Sequence, residues 1–136
     1  MNAYVDSSVV LRVVLGEKKR LSTWTRITRP ATSELCRVEC YRVLDRLRLA
    51  HALDDDEVAE RREGVDSLLE GFDIVTLDRR ILRRAAEPMP TTLGTLDAIH
   101  VATALALRRG ASSLAVATHD DAMRTAARAL GFRVLA

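Results

Sequence analysis

The chain has 136 residues, of which 48% are hydrophobic and 29% charged, with 21 Lys and Arg against 19 Asp and Glu for a formal net charge of +2. That length suits one domain, expected to span residues 1–136, which can bury about two-thirds of its unfolded surface without disulfide or metal staples. The near balance of charge excludes polyanion binding by overall charge and leaves it to local patches, and no apolar run approaches the roughly 20 residues needed to cross a bilayer.

Taken in chain order, Ala3 to Val5 predicts a strand, followed by a helix from a Ser7 or Ser8 cap to about Leu15, where Gly16 stops it. A weaker strand is expected around Ile27 to Ala31, with Pro30 arguing for an edge or terminal position because it cannot donate to a ladder. Ser33 then caps a long helix reaching about Ala50, with Leu35, Val38, Val43, Leu44 and Leu47 as its apolar face. Asp54, Asp55, Asp56 and Glu57 open the next helix; being consecutive, they fan round its positive end rather than face one point. Phe72 to Leu77 predicts a strand, Arg79 to Arg84 lie in a short helical segment, and Pro88 to Gly94 form a loop. A helix runs from Leu96 through Leu107 and closes at Arg108, Arg109 and Gly110. Leu114 to Ala117 predicts a strand, and a last helix from Asp121 to Leu130, with Met123, Ala126, Ala127 and Leu130 facing the core, leads to a strand at Phe132 to Leu135. Alternating β and α segments imply an α/β fold with a parallel sheet.

Cys36 and Cys40 fall one turn apart in a helix, which suits two small buried side chains better than a bridge and points to a reducing compartment. Asp6 interrupts the apolar start before a secretory signal could form, so a soluble, cytoplasmic protein is expected. The basic residues are arginines apart from Lys18 and Lys19, a bias that coding composition or phosphate recognition explains equally well.

Four acids stand in apolar company. Asp6 sits at the end of the first strand, where it either caps the following helix or meets a bound cation. Glu39 lies beside the buried stripe of the long helix, and spacing alone favours a surface pair with Arg42. Asp97 opens the most apolar helix, with His100 one turn later; a histidine in such company is a satisfied core residue rather than a ligand. Asp120 and Asp121 follow a strand, one to cap the last helix and the other free to face a site. In a parallel α/β sheet all these positions share the carboxyl edge, where such folds bind ligands. Gathered carboxylates raise one another's pKa unless cations neutralise them, and an all-oxygen set selects Mg²⁺ or Mn²⁺, ions suited to phosphodiester hydrolysis.

Tyr4-Val5-Asp6-Ser7-Ser8, Ser33-Glu34-Leu35 leading to Glu39, Leu96 through Ala104, and Thr118-His119-Asp120 followed by Ala126-Ala127 and Gly131 together resemble the PIN-domain ribonucleases, specifically the VapC-type toxins of type II toxin-antitoxin pairs. The resemblance spans nearly the whole chain. It implies a three-layer α/β/α fold with a central, mostly parallel sheet of about five strands. It also implies Mg²⁺- or Mn²⁺-dependent endoribonuclease activity, a cognate VapB-like antitoxin and a homodimer. Asp6, Glu39, Asp97 and Asp120 match the catalytic acids, with Asp6, Asp97 and Asp120 as metal ligands and Ser7 and Thr118 as supporting residues. Asp121 is an alternative ligand beside the fourth acid, and His119 departs from the pattern. Arg79, Arg80, Arg83 and Arg84 either track RNA phosphates or form a solvated face. The alternatives are a catalytically silent PIN-like binding module and a phosphate-handling α/β domain; against the latter, Asp6 lacks a second acid two residues on.

Overall fold

The computed structural model describes residues 1–110 and 113–136. Its strands are β1 (Asn2–Val5), β2 (Arg29–Ser33), β3 (Asp73–Val75), β4 (Ala115–Ala117) and β5 (Arg133–Leu135). The helices are α1 (Ser7–Val14), α2 (Leu35–Leu49), α3 (Asp55–Leu69), α4 (Arg79–Ala86), α5 (Thr95–Arg108) and α6 (Asp121–Ala129). The strands form one sheet in the order β3-β2-β1-β4-β5. Every pairing is parallel, including Tyr4 opposite Ala31 on one side and Val116 on the other. The strand order reverses between β1 and β4, which makes the carboxyl ends of those two strands the topological switch point.

Side-chain alternation along β1 divides the core. Ala3 and Val5 pack with Val9 and Val10 of α1, Cys36, Cys40 and Leu44 of α2, and Val58 and Val65 of α3. Tyr4 points the other way, into Val101 and Ala104 of α5 and Met123, Ala126 and Ala127 of α6. Helices thus cover both faces of the sheet, while α4 packs along α5. Each large aliphatic side chain so buried stabilises the fold by about 1.5–3 kcal/mol, before the entropy of ordering it is subtracted.

The structure decides three local expectations. Pro30 takes the terminal rather than the edge position: β2 is an inner strand, but pairing with β3 begins only at Ala31, so the proline stands before the doubly paired stretch. In α2, Val38 is 57% exposed, and the buried line runs through Cys36, Cys40 and Leu44. Two residues along a helix is a rotation of about 200°, so a helix seated on its cysteine line turns Val38 outward. The cysteines are free and buried. Finally, Asp6 rather than Ser7 or Ser8 caps α1, accepting from the backbone N–H groups of Ser8 and Val9.

The acid run before α3 serves the helix start. Asp54 Oδ1 accepts from the Glu57 amide, while Glu57 Oε2 accepts from the Asp54 amide, both at 2.8 Å. Asp54→Ala is expected to cost about 1 kcal/mol and to lower the melting temperature by roughly 3 °C. An unchanged melt would mean that the capping box contributes nothing to stability.

Candidate functional site

At the switch point, Asp6 is only 3% exposed. The first backbone bond beyond the β1–β4 ladder, Asp6 N–H to Ala117 O at 3.1 Å, brings its carboxylate against the segment following β4. Oδ1 accepts from Ser8 N at 3.0 Å, Ser8 Oγ at 2.5 Å and Val9 N at 3.3 Å, while Oδ2 accepts from Thr118 Oγ1 at 2.5 Å. Burial raises the Asp6 pKa, and these donors offset only part of that effect. Ser8, not the expected Ser7, is the serine whose hydroxyl holds Asp6; the same hydroxyl accepts from His119 N at 2.9 Å. Thr118 joins two of the acidic segments, since its Oγ1 donates to Asp6 and also accepts from Asp120 N at 3.0 Å.

Asp120 caps α6, its Oδ1 accepting from Met123 N at 2.8 Å. Asp121 does not face the cluster: its side chain is 90% exposed and its Oδ1 lies 2.9 Å from Arg124. Asp97, half-buried in the first turn of α5, has a raised pKa. Burial is the main cause; the negative charges of Asp120, Asp6 and Glu39 add to it, with His100 opposing. Four acids from four separate segments therefore share one electrostatic neighbourhood.

Glu39 reaches that neighbourhood through a partner that spacing did not indicate. Arg42, its expected partner, instead lies 3.3 Å from Asp45. Glu39 Oε1 meets His100 Nε2, and His100 Nδ1 lies 2.6 Å from the Tyr4 hydroxyl. A carboxylate only accepts, so Nε2 carries the proton and donates to Glu39, and in the neutral ring Nδ1 accepts from Tyr4. His100 is 1% exposed, the satisfied core histidine expected of it, and it ties α2 to α5 and β1. Burial pulls the His100 pKa down, but the Glu39 hydrogen bond and the charges of Glu39 and Asp6 outweigh it and raise the value.

Among the described residues no three His, Cys, Asp or Glu side chains are grouped so as to hold an ion. The donor chemistry nonetheless fits a hard divalent cation. Asp6, Asp97 and Asp120 offer only oxygen, and none of them forms a salt bridge with a basic side chain of the described residues. Burial is the main cause that pushes the Asp6 and Asp97 carboxyls toward protonation, with neighbouring negative charges adding to it for Asp97, a cost that a bound cation would offset.

The arginines of α4 lie elsewhere. Arg80, Arg83 and Arg84, but not Arg79, line a cavity of about 690 Å³ together with Arg108 and Arg109 of the α5 end.

The sequence matches the PIN-domain family over residues 3–129. The chain belongs to that family. Among its relatives, this PIN domain is 37% identical to Ribonuclease VapC46 of Mycobacterium tuberculosis, over 98% of this chain and 95% of that protein. It is 31% identical to Ribonuclease VapC47 of the same species, over 95% and 92%. These matches place it with the VapC-type PIN domains. Solved structures share the fold: a toxin-antitoxin complex from Klebsiella pneumoniae has a TM-score of 0.63 at 20% identity, covering 88% of this chain and 87% of that one. VapBC-1 from nontypeable Haemophilus influenzae also scores 0.63, at 12% identity over 98% and 96%. The expected three-layer α/β/α PIN fold with about five strands is thus found, and its sheet is wholly parallel. No helix among the described residues is long and apolar enough to cross a membrane.

The raised pKa values make the stability of the metal-free PIN domain pH-dependent. The Asp6 and Asp97 values lie above those of the unfolded chain, so their contribution is full below about pH 4 and is lost as pH rises through the folded values. His100 acts in the same sense from about pH 6.5 upward. In EDTA the melting temperature should therefore be lower at about pH 8 than at about pH 5.5. Mn²⁺ at a hundred times its dissociation constant should add about 2.7 kcal/mol, roughly 8 °C, at the higher pH. A melt indifferent to Mn²⁺ at both pH values would argue against a cation among these acids.

Proposed function

We propose that this protein is a metal-dependent endoribonuclease toxin, a single PIN-like unit of residues 1–136 that cleaves RNA phosphodiester bonds and is neutralised by a cognate VapB-like antitoxin. What supports this reading most is that the charges of Asp120, Asp6 and Glu39 all bear on Asp97, with Asp6 at the sheet's switch point and no arginine or lysine paired to any of the four among the described residues. The relatives named as VapC ribonucleases, at up to 37% identity, support RNA as the substrate, and the toxin-antitoxin complexes of the same fold support the antitoxin. Action in the cytoplasm as a homodimer belongs to the same reading.

Asp6, Asp97 and Asp120 would hold Mg²⁺ or Mn²⁺. When bound, the ion supplies water activation, orientation of the scissile phosphate and stabilisation of the leaving oxygen. The protein's own part is positioning. Ser8 and Thr118 fix the two oxygens of Asp6, so that carboxylate needs no reordering when it acts. Thr118 also ties the Asp120 backbone to the same carboxylate. His100 holds Glu39 Oε1, leaving Oε2 for a water or a second ion. No nucleophilic side chain is required.

Incubation with structured RNA tests the reading. Cleavage is expected with Mn²⁺ and none with EDTA, and co-expression with the product of a short neighbouring antitoxin reading frame should relieve growth arrest. Cutting that persists in EDTA, or no cutting under any divalent ion, would remove the metal-dependent nuclease reading.

A further inference from the structure

The cavity between α4 and α5 is separate from the acids. Five arginines line it, Arg80, Arg83 and Arg84 from one helix and Arg108 and Arg109 from the other, against a single carboxylate, Glu87. Two of the five are anchored. Arg108 Nη1 donates to Leu130 O at 2.7 Å while its guanidinium lies 4.3 Å from the Phe132 ring centre. Arg84 Nη1 lies 3.7 Å from Glu87 and 3.6 Å from Met89 Sδ. Glu87 is thereby engaged, and Arg80, Arg83 and Arg109 form no ion pair among the described residues.

We infer that this groove is a phosphate-binding exosite for the RNA strand whose cleavage at the acidic site was proposed above, and the inference rests on that proposal. Three observations favour an RNA backbone over other occupants. Guanidinium is the side chain best shaped to grip phosphate, and concentrating five of them costs self-repulsion that an anionic strand relieves. An amphipathic peptide helix would need open aliphatic pockets. Yet Ile81 is buried, Leu105 and Leu130 are half-covered, and none of the exposed large apolar side chains, Val38, Leu49, Ile74, Leu82 and Leu96, lines the groove. A second copy of the same groove would bring the same positive charges. The groove contains no aromatic side chain, so it would read backbone charge and not bases.

Position supports a role in substrate length. From Asp97 to Arg108 is eleven residues of one helix, about 16 Å at 1.5 Å per residue. A few nucleotides of extended strand cover that distance, so RNA cut at the acids would continue into the groove. The exosite therefore predicts weak binding of fragments too short to span both places.

The test uses the full-length protein and a fluorescent 2′-O-methyl RNA 12-mer of mixed sequence, which cannot be cleaved by attack through its 2′ oxygen, in EDTA with a salt series. Arg80→Gln, Arg83→Gln and Arg109→Gln together are expected to weaken binding at low salt by at least about tenfold and to lower the log–log salt slope by about 2, at roughly 0.7 for each lost single-strand phosphate contact. Arg26→Gln, Arg46→Gln and Arg133→Gln remove the same charge elsewhere on the exposed surface and are expected to leave the slope nearly unchanged. Equal losses in both triple variants, or no change in slope, would overturn the exosite. So would loss of antitoxin binding with RNA binding intact, which would make the groove a peptide site. Because the nuclease reading is judged by EDTA-sensitive cleavage in the parent protein, the two can fail separately.

Discussion

Replacing Asp97 with asparagine is expected to lower RNA cleavage on the order of a thousandfold or more, about 4 kcal/mol of barrier, while leaving the fold intact. The side chain keeps its size and loses only its charge, and it is not needed to cap α5, whose N-cap residue is Gly94. Burial and the negative charges of Asp120, Asp6 and Glu39 penalise the Asp97 carboxylate in the metal-free protein. The variant should therefore melt in EDTA at the same temperature as the parent or higher, and it should lose much of the Mn²⁺-dependent gain. Asp6→Asn should be as inactive but less stable, because an amide cannot accept from Ser8, Val9 and Thr118 as a carboxylate does. Comparing cleavage and melting in these two variants separates the chemical role from the structural one. Near-parental cleavage by Asp97→Asn would sink the assignment of the acids.

His100→Ala is expected to cost about 3–5 kcal/mol in urea unfolding, a large part of the roughly 5–15 kcal/mol typical of a domain. It removes the ring that joins Glu39 of α2 to Tyr4 of β1, and leaves a carboxylate and a buried hydroxyl without their partner. Glu39→Leu combined with His100→Leu should cost less than the sum of the two single changes, since removing both members of a buried pair leaves no stranded charge. A loss below about 1 kcal/mol for His100→Ala would show that the Tyr4–His100–Glu39 chain contributes little to the fold.

The chain order of elements was largely legible because local physics writes it into the sequence. Alternating apolar runs, Gly16 with its positive φ, and the Asp54–Glu57 capping box act within a few residues of themselves. Where two nearby residues compete for one task, local sequence leaves the choice open. Ser7 and Ser8 are indistinguishable in composition, yet only the residue two places after Asp6 turns its hydroxyl back to that carboxylate. Asp120 and Asp121 are adjacent acids; the first closes the helix start and the second is left to Arg124. Val38 fits an apolar stripe on paper, and the packing of the cysteine line against the sheet decides otherwise.

Sequence alone determined the α/β class, the parallel sheet and the placement of Asp6 and Asp97 in apolar surroundings, since each follows from periodicity and neighbouring residue type. Tertiary structure alone decided that β1 and β4 lie side by side at the switch point and that Glu39 is held by His100 rather than by Arg42. It also brought Arg108 and Arg109 to the arginines of α4. Those pairings join residues that are 61 positions apart for Glu39 and His100, and 112 apart for Asp6 and Thr118. No local propensity encodes them; they form because burying both faces of the sheet leaves the segments one arrangement in which the polar side chains at its carboxyl edge can meet.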